Sequence, residues 1–196
     1  GKAKRRIPRD EEVLALLNQF DVIETASGKK SLYRIYRDVR FSKDKAPYKD
    51  HWAGSFRRAG KTRRGGLYFC ISPGGNSHIS GGFFSPNKED LFHIRQQIEL
   101  DATPLRKALT SDLALQYFGE LQGEQLKTAP KGFDKEHPEI NLLRYKSFYL
   151  THHFTDKEVL APDFALKMAD GFQKMMPYLE VMTQYLTTDL NGEDLV

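Results

Sequence analysis

Residues 66–86 read GLYFCISPGGNSHISGGFFSP, and this stretch decides the fold. Leu67, Phe69 and Ile71 alternate with Tyr68, Cys70 and Ser72, the period-two pattern of a strand with one apolar face. Pro73, Gly74, Gly75 and Asn76 then supply turn chemistry, so HISGGFF returns as the second strand of a hairpin. Gly81 and Gly82 inside that strand imply a bulge or a close backbone approach. Ser85 followed by Pro86 reads as a helix cap and first helical residue, ahead of Leu91, Ile94 and Ile98 at helical spacing.

Working outward, Val13, Leu16, Leu17 and Phe20 predict an amphipathic helix over residues 9–20, with acids in its first turn. Ser27 and Gly28 open a turn. Leu32–Val39 reads as a strand with Tyr33, Ile35, Arg37 and Val39 on one face, and residues 40–48 as an irregular loop ending near Pro47. Residues 51–57 return as a strand. Beyond the hairpin, Thr103 before Pro104 and Ser111 before DLALQYF start short helices, and Gly119 stops the second. Residues 123–138 form an extended connection, residues 144–153 another strand, and Thr155 with Glu158 a capping box. Phe164, Met168, Phe172, Met175, Leu179, Met182 and Leu186 predict a long C-terminal helix over residues 163–188, kinked at Pro177, whose apolar stripe belongs to the core. Strands clustered mid-chain between helices specify an α+β class: a central, mostly antiparallel sheet of about four or five strands flanked by helices. The expected organisation is a single domain over residues 1–196.

The chain has 196 residues with a net charge of +4, yet thirteen Lys and Arg against three acids lie in residues 29–64, a local net of +10. Such a stretch attracts the phosphates of a nucleic acid or a small phosphate- or carboxylate-bearing ligand. No apolar run is long enough to span a membrane, no secretory signal is present, and the lone Cys70 suits a reducing cytoplasm, the expected location. No phosphate-loop, cofactor or metal-ligand spacing occurs: His51, His78, His93 and His137 are scattered, and His152 and His153 face opposite sides of a strand. Cys70 reads as a small buried hydrophobe rather than a nucleophile.

The most informative candidate segment is RIYRDVRFSKDKAPYK, Arg34–Lys49. Arg34, Arg37, Arg40, Lys43, Lys45, Tyr48 and Lys49 are candidate ligand-binding residues, because several cationic donors on one loop can converge on an anion. Asp38 and Asp44 either hold those donors in place or act as catalytic proton acceptors. Arg37, on the apolar side of the expected strand, is either an anion ligand or half of a buried ion pair. A nucleic-acid module using residues 29–64, including Arg57, Arg58, Lys61, Arg63 and Arg64, is the alternative, with Tyr48, Trp52 and Phe56 available to stack on bases or to pack the core. A structural or interaction domain, its basic stretch held by internal acids, is the third.

RIYRDVRFSKDKAPYK, GLYFCISPGGNSHISGGFFSP with the following NKEDLFHIRQQI, and LKTAPKGFDKEHPEINLLRYKSF together resemble the domain of unknown function 2461, conserved hypothetical bacterial proteins. These motifs cover Leu32–Phe148 in order, and the family-like region extends to about residue 188. Similar members usually open with a helix carrying an asparagine-rich turn and a Trp-Phe pair; that opening is missing here, so either the start is trimmed or this branch differs. The resemblance implies no assigned activity, and no cofactor follows from it.

Overall fold

The computed structural model describes residues 10–196; the first residue of the helix expected from residue 9 lies outside them. Acids Asp10, Glu11 and Glu12 begin α1 (Asp10–Leu17), whose Val13, Leu14 and Leu17 are buried. Ser27 accepts a hydrogen bond from the Lys30 amide and starts the single-turn α2 (Gly28–Ser31). Four strands follow the sequence signals closely: β1 (Trp52–Arg57), β2 (Gly66–Ile71), β3 (Ser77–Phe83) and β4 (Phe148–Phe154). They form an antiparallel sheet in the order β1-β2-β3-β4. Between β3 and β4 run α3 (Lys88–Leu100), α4 (Thr103–Thr110), α5 (Asp112–Phe118) and α6 (Ile140–Leu143); after β4 come α7 (Asp156–Leu160), α8 (Phe164–Lys174) and α9 (Met176–Thr187). This is the α+β arrangement the patterning specifies.

One sheet face is apolar and carries the core. Phe56, Leu67, Phe69, Ile79, Phe148 and Leu150 point inward and are essentially buried, meeting Phe172, Leu179 and Met182 of α8 and α9. Phe172 stands edge-on to Phe56 at 6.3 Å. Gly81 and Gly82 are explained by close approach, not by a bulge, since both strand registers run through them unbroken. A Cβ at Gly81 would collide with the Met175 sulfur, and one at Gly82, where φ is +145°, with the Phe148 carbonyl.

Several expectations need correction. Leu32–Val39 is no strand: it makes the isolated bridge Leu32–Gly54 and folds back on itself through Tyr36–Tyr48. Pro47 lacks an amide donor, and polar residues dominate the return, so the ladder is intermittent. α3 is capped by Asn87, which accepts from the Asp90 amide, so Ser85 and Pro86 precede the helix. Thr103 is already helical, its amide held by the Asp101 carboxylate at 2.9 Å. The last strand begins at Phe148 rather than residue 144, preceded by α6. The expected kinked C-terminal helix is two helices broken at Met175, with Pro177 in the first turn of α9, where its missing amide proton costs nothing. Ser111, Gly119 and the Thr155–Glu158 capping box act as the sequence indicates.

Two polar arrangements fix the frame. Arg58 is 2% exposed; its Nε donates to Asp21 Oδ2 at 2.6 Å, and its terminal nitrogens donate to the Arg64 carbonyl at 2.6 Å and to Glu180 at 3.1 Å. The Asp21 side chain is wholly buried as well. Separately, the Gly74 and Gly75 amides of the hairpin turn both donate to the Asp156 carboxylate at 2.9 Å, a backbone nest that pulls this carboxyl below its ordinary range.

Replacing Arg58 by Met leaves Asp21 buried without its main partner, and urea unfolding is expected to show a loss of about 3–5 kcal/mol. Combining it with Asp21→Asn is expected to recover part of that loss. Because the folded pKa of Asp156 is depressed, its contribution is complete above the unfolded value of about 3.9 and disappears as pH falls through the folded value. The melting temperature of the wild type is therefore expected to exceed that of Asp156→Asn at pH 7, with the gap closing progressively below about pH 4.

Candidate functional site

Strand alternation gives the sheet a second, polar face. From the register, Arg57 lies opposite Gly66; Ser55, Tyr68, Ser80 and Thr151 form the next row; Ala53, Cys70, His78 and His153 form the row after that. Ser80 Oγ and Thr151 Oγ1 are 2.8 Å apart, so the buried Ser80 hydroxyl pairs with the half-buried one of Thr151. The rings of Tyr68 and His78 are 5.8 Å apart, those of His78 and His153 5.3 Å, and those of Phe84 and Tyr149 5.1 Å. His152, on the opposite face as its position predicts, stacks on Tyr117 at 3.7 Å.

Over this face opens a cleft of about 740 Å³, a size that accommodates small organic ligands. Tyr33 from the loop after α2, Tyr68, Phe84 and Tyr149 supply flat walls, while Ser55, His78 and Ser80 supply polar groups. Arg57 enters from the end of β1. Its guanidinium has no ion-pair partner among the described residues. Beside it, a Cβ built on Gly66 would meet nothing within 4 Å, so there is open space next to the cation. Glu124 stands at the rim but is taken by Lys146 at 2.5 Å. Burial pushes the Tyr68 phenol up to about 12, with Cys70 and Tyr33 adding to the effect, so it stays protonated and able to donate. Burial likewise raises the Cys70 thiol, which keeps it neutral and weakens it as a nucleophile.

The Arg34–Lys49 residues are placed beside this cleft rather than inside it. Arg37, one-third exposed, pairs with Asp44; Arg40 binds Asp38 through a fork at 2.6–3.2 Å; Lys45 donates to the Val39 carbonyl at 2.9 Å. Tyr48 packs against Tyr36 at 5.5 Å. Arg34, Lys43 and Lys49 have no ion-pair partner among the described residues. Both carboxylates are lowered from their usual range, Asp38 by Arg40 and Asp44 by the Ala46 amide and Arg37. They are consequently weak proton acceptors and effective holders of donors.

The basic stretch is not one surface. Arg58 is interior, Arg63 reaches Glu180 at 3.3 Å, and Arg64 pairs with Asp90. Phe56 is core and Trp52 lies at the edge of a separate, apolar concavity of about 420 Å³ between α1, the sheet end and α7–α8. The aromatics of residues 48–56 therefore do not make a row. No group of three or more His, Cys, Asp or Glu side chains that could hold a metal ion occurs among the described residues, and no helix among them is long and apolar enough to cross a membrane. The alternation of β2 places Tyr68 on the face opposite Leu67 and Phe69, but Arg57 on β1, His78 on β3 and Tyr149 on β4 join it only through the register of the sheet, which no local pattern in the sequence reveals.

No curated protein and no solved structure matches the chain. A family model described as conserved hypothetical protein (DUF2461) matches residues 10–180, so it spans α1 to α8, the start of α9, the whole sheet and the cleft. With that match covering most of its length, the chain belongs to the DUF2461 family of conserved hypothetical proteins.

Proposed function

We propose that the protein binds a small phosphate- or carboxylate-bearing ligand in the cleft over the polar face of the sheet, with Arg57 as its charge partner. The observation that carries this reading is a guanidinium without an ion-pair partner among the described residues, bordered by open space above Gly66 and by aromatic walls. A planar guanidinium fork matches the oxygens of such anions in two parallel hydrogen bonds. The Arg34–Lys49 segment acts as a basic rim. Arg34, Lys43 and Lys49 draw the anion in, while Arg37 and Arg40 are held by Asp44 and Asp38. A bound ligand would lie against Tyr33 and Tyr68, whose rings are 6.2 Å apart.

A small ligand is favoured over a nucleic acid because Arg58, Arg63 and Arg64 are already engaged by Asp21, Glu180 and Asp90. A backbone-tracking surface needs free cations in a row, and this stretch spends three of its arginines on the protein's own acids.

Calorimetric titration with inorganic phosphate, pyrophosphate and benzoate tests the reading. Arg57→Ala is expected to weaken the best of these anions roughly tenfold to a hundredfold, the worth of a charge-assisted hydrogen-bonding pair. Gly66→Val is expected to fill the space beside Arg57 and weaken binding while leaving the melting temperature near that of the wild type. Equal affinity in wild type and both variants would sink the reading. So would binding of labelled oligonucleotides that falls steeply between about 50 and 200 mM salt while the small anions leave the protein unaffected, an outcome that favours the nucleic-acid alternative.

A further inference from the structure

We propose that His78 is the second pole of this cleft, and that the anion at Arg57 is the phosphate of an elongated ligand carrying a flat ring and an N–H or O–H donor at its far end, the chemistry of a nucleoside monophosphate. The proposal rests on the anion reading above and adds length and orientation to it.

The sheet register sets the length. Arg57 is opposite Gly66 and His78 is opposite Cys70, four residues further along β2. At about 3.4 Å per residue the two poles are about 14 Å apart along the backbone, a span that inorganic phosphate cannot bridge. Between them lies the Tyr68 row. The Tyr68 ring is 5.8 Å from His78 and 6.2 Å from both Tyr33 and Phe84, so the middle of the cleft presents flat apolar surface to a ring.

Hydrogen bonding sets the polarity of the far pole. His78 Nδ1 lies 2.9 Å from the Asn76 carbonyl, and a carbonyl only accepts, so Nδ1 carries the proton. In the neutral ring Nε2 is then an acceptor, and it has no hydrogen-bond partner among the described residues. A ligand group facing it must donate. The neighbouring His153 is held below its ordinary range by burial, with His78 and His152 adding to this, so its ring favours the neutral form and places no charge beside the pole. Tyr68 and Cys70, the other titratable groups of these rows, stay protonated and neutral.

The test is calorimetric titration at pH 8 with inorganic phosphate, ribose 5-phosphate and the four common nucleoside 5′-monophosphates, on wild type, Arg57→Ala, His78→Ala and His78→Gln. At least one monophosphate is expected to bind about tenfold or more tightly than ribose 5-phosphate, the worth of one added hydrogen bond plus ring contact. His78→Ala is expected to abolish that advantage without changing the affinity for inorganic phosphate, and His78→Gln, whose amide oxygen accepts, to restore part of it. Long-range nitrogen–proton NMR spectra are expected to show the proton of the neutral His78 ring on Nδ1. Monophosphates that bind no tighter than ribose 5-phosphate, an advantage that survives His78→Ala, or a proton found on Nε2 would each overturn the proposal while leaving phosphate capture by Arg57 standing. Absence of binding by every phosphate, or binding indifferent to Arg57→Ala, would remove the anion reading and this proposal together.

Discussion

A single guanidinium holds the parts of this molecule in register. Arg58 stands in the interior just past the end of β1, and its guanidinium gives a hydrogen bond or ion pair to the segment after α1 through Asp21, to the loop before β2 through the Arg64 carbonyl, and to helix α9 through Thr183 and Glu180. A buried cation is tolerated only when its donors are satisfied, so the geometry of these segments is constrained together. Other buried polar groups follow the same rule on a smaller scale. Arg95 is spent on the Leu143 and Tyr145 carbonyls, and Gln97 on those of Thr188 and Asp189, which tie α3 to the chain segments flanking it.

The alternation of β1 separates two roles by one residue. Phe56 and Arg58 turn inward, one into the apolar core and the other into the ion network, while Arg57 between them turns to the polar face. The same pleat leaves Leu67 and Phe69 inside and Tyr68 outside. A sheet covered by helices on one face is thereby free to carry chemistry on the other. The cations of residues 29–64 fall into three groups on this frame: interior or acid-bound arginines that stabilise the fold, loop cations engaged by nearby aspartates, and cations that remain available. Only the last group bears on the ligand binding proposed above.

The elements with strong local signals could be read directly. The β2–β3 hairpin, the Ser111 cap, the Gly119 stop and the capping box at Thr155 each depend on residues within a few positions of one another. The errors have a common cause, which is that tertiary partners overrule local pattern. Residues 32–39 alternate as a strand should, but with only scattered bridges on either side they remain irregular. The cleft was invisible for the same reason: Arg57, Tyr68, His78 and Tyr149 come together only through strand register. A charge count finds the basic stretch but has no means of telling Arg57 from Arg58, because the distinction is one of direction.

The placement of α9 has a consequence for how the chain acquires its fold. Thr183 and Glu180 lie more than a hundred residues beyond Arg58, so the contacts that satisfy the buried guanidinium are among the most distant in sequence. Closing so long a loop is slow relative to forming a hairpin or a helix turn. During synthesis the sheet and the early helices emerge well before their last structural acid does. Until α9 docks, Arg58 lacks its Thr183 and Glu180 partners and the surface that α9 covers stays open, so the arrival of the final helix completes the network around the guanidinium.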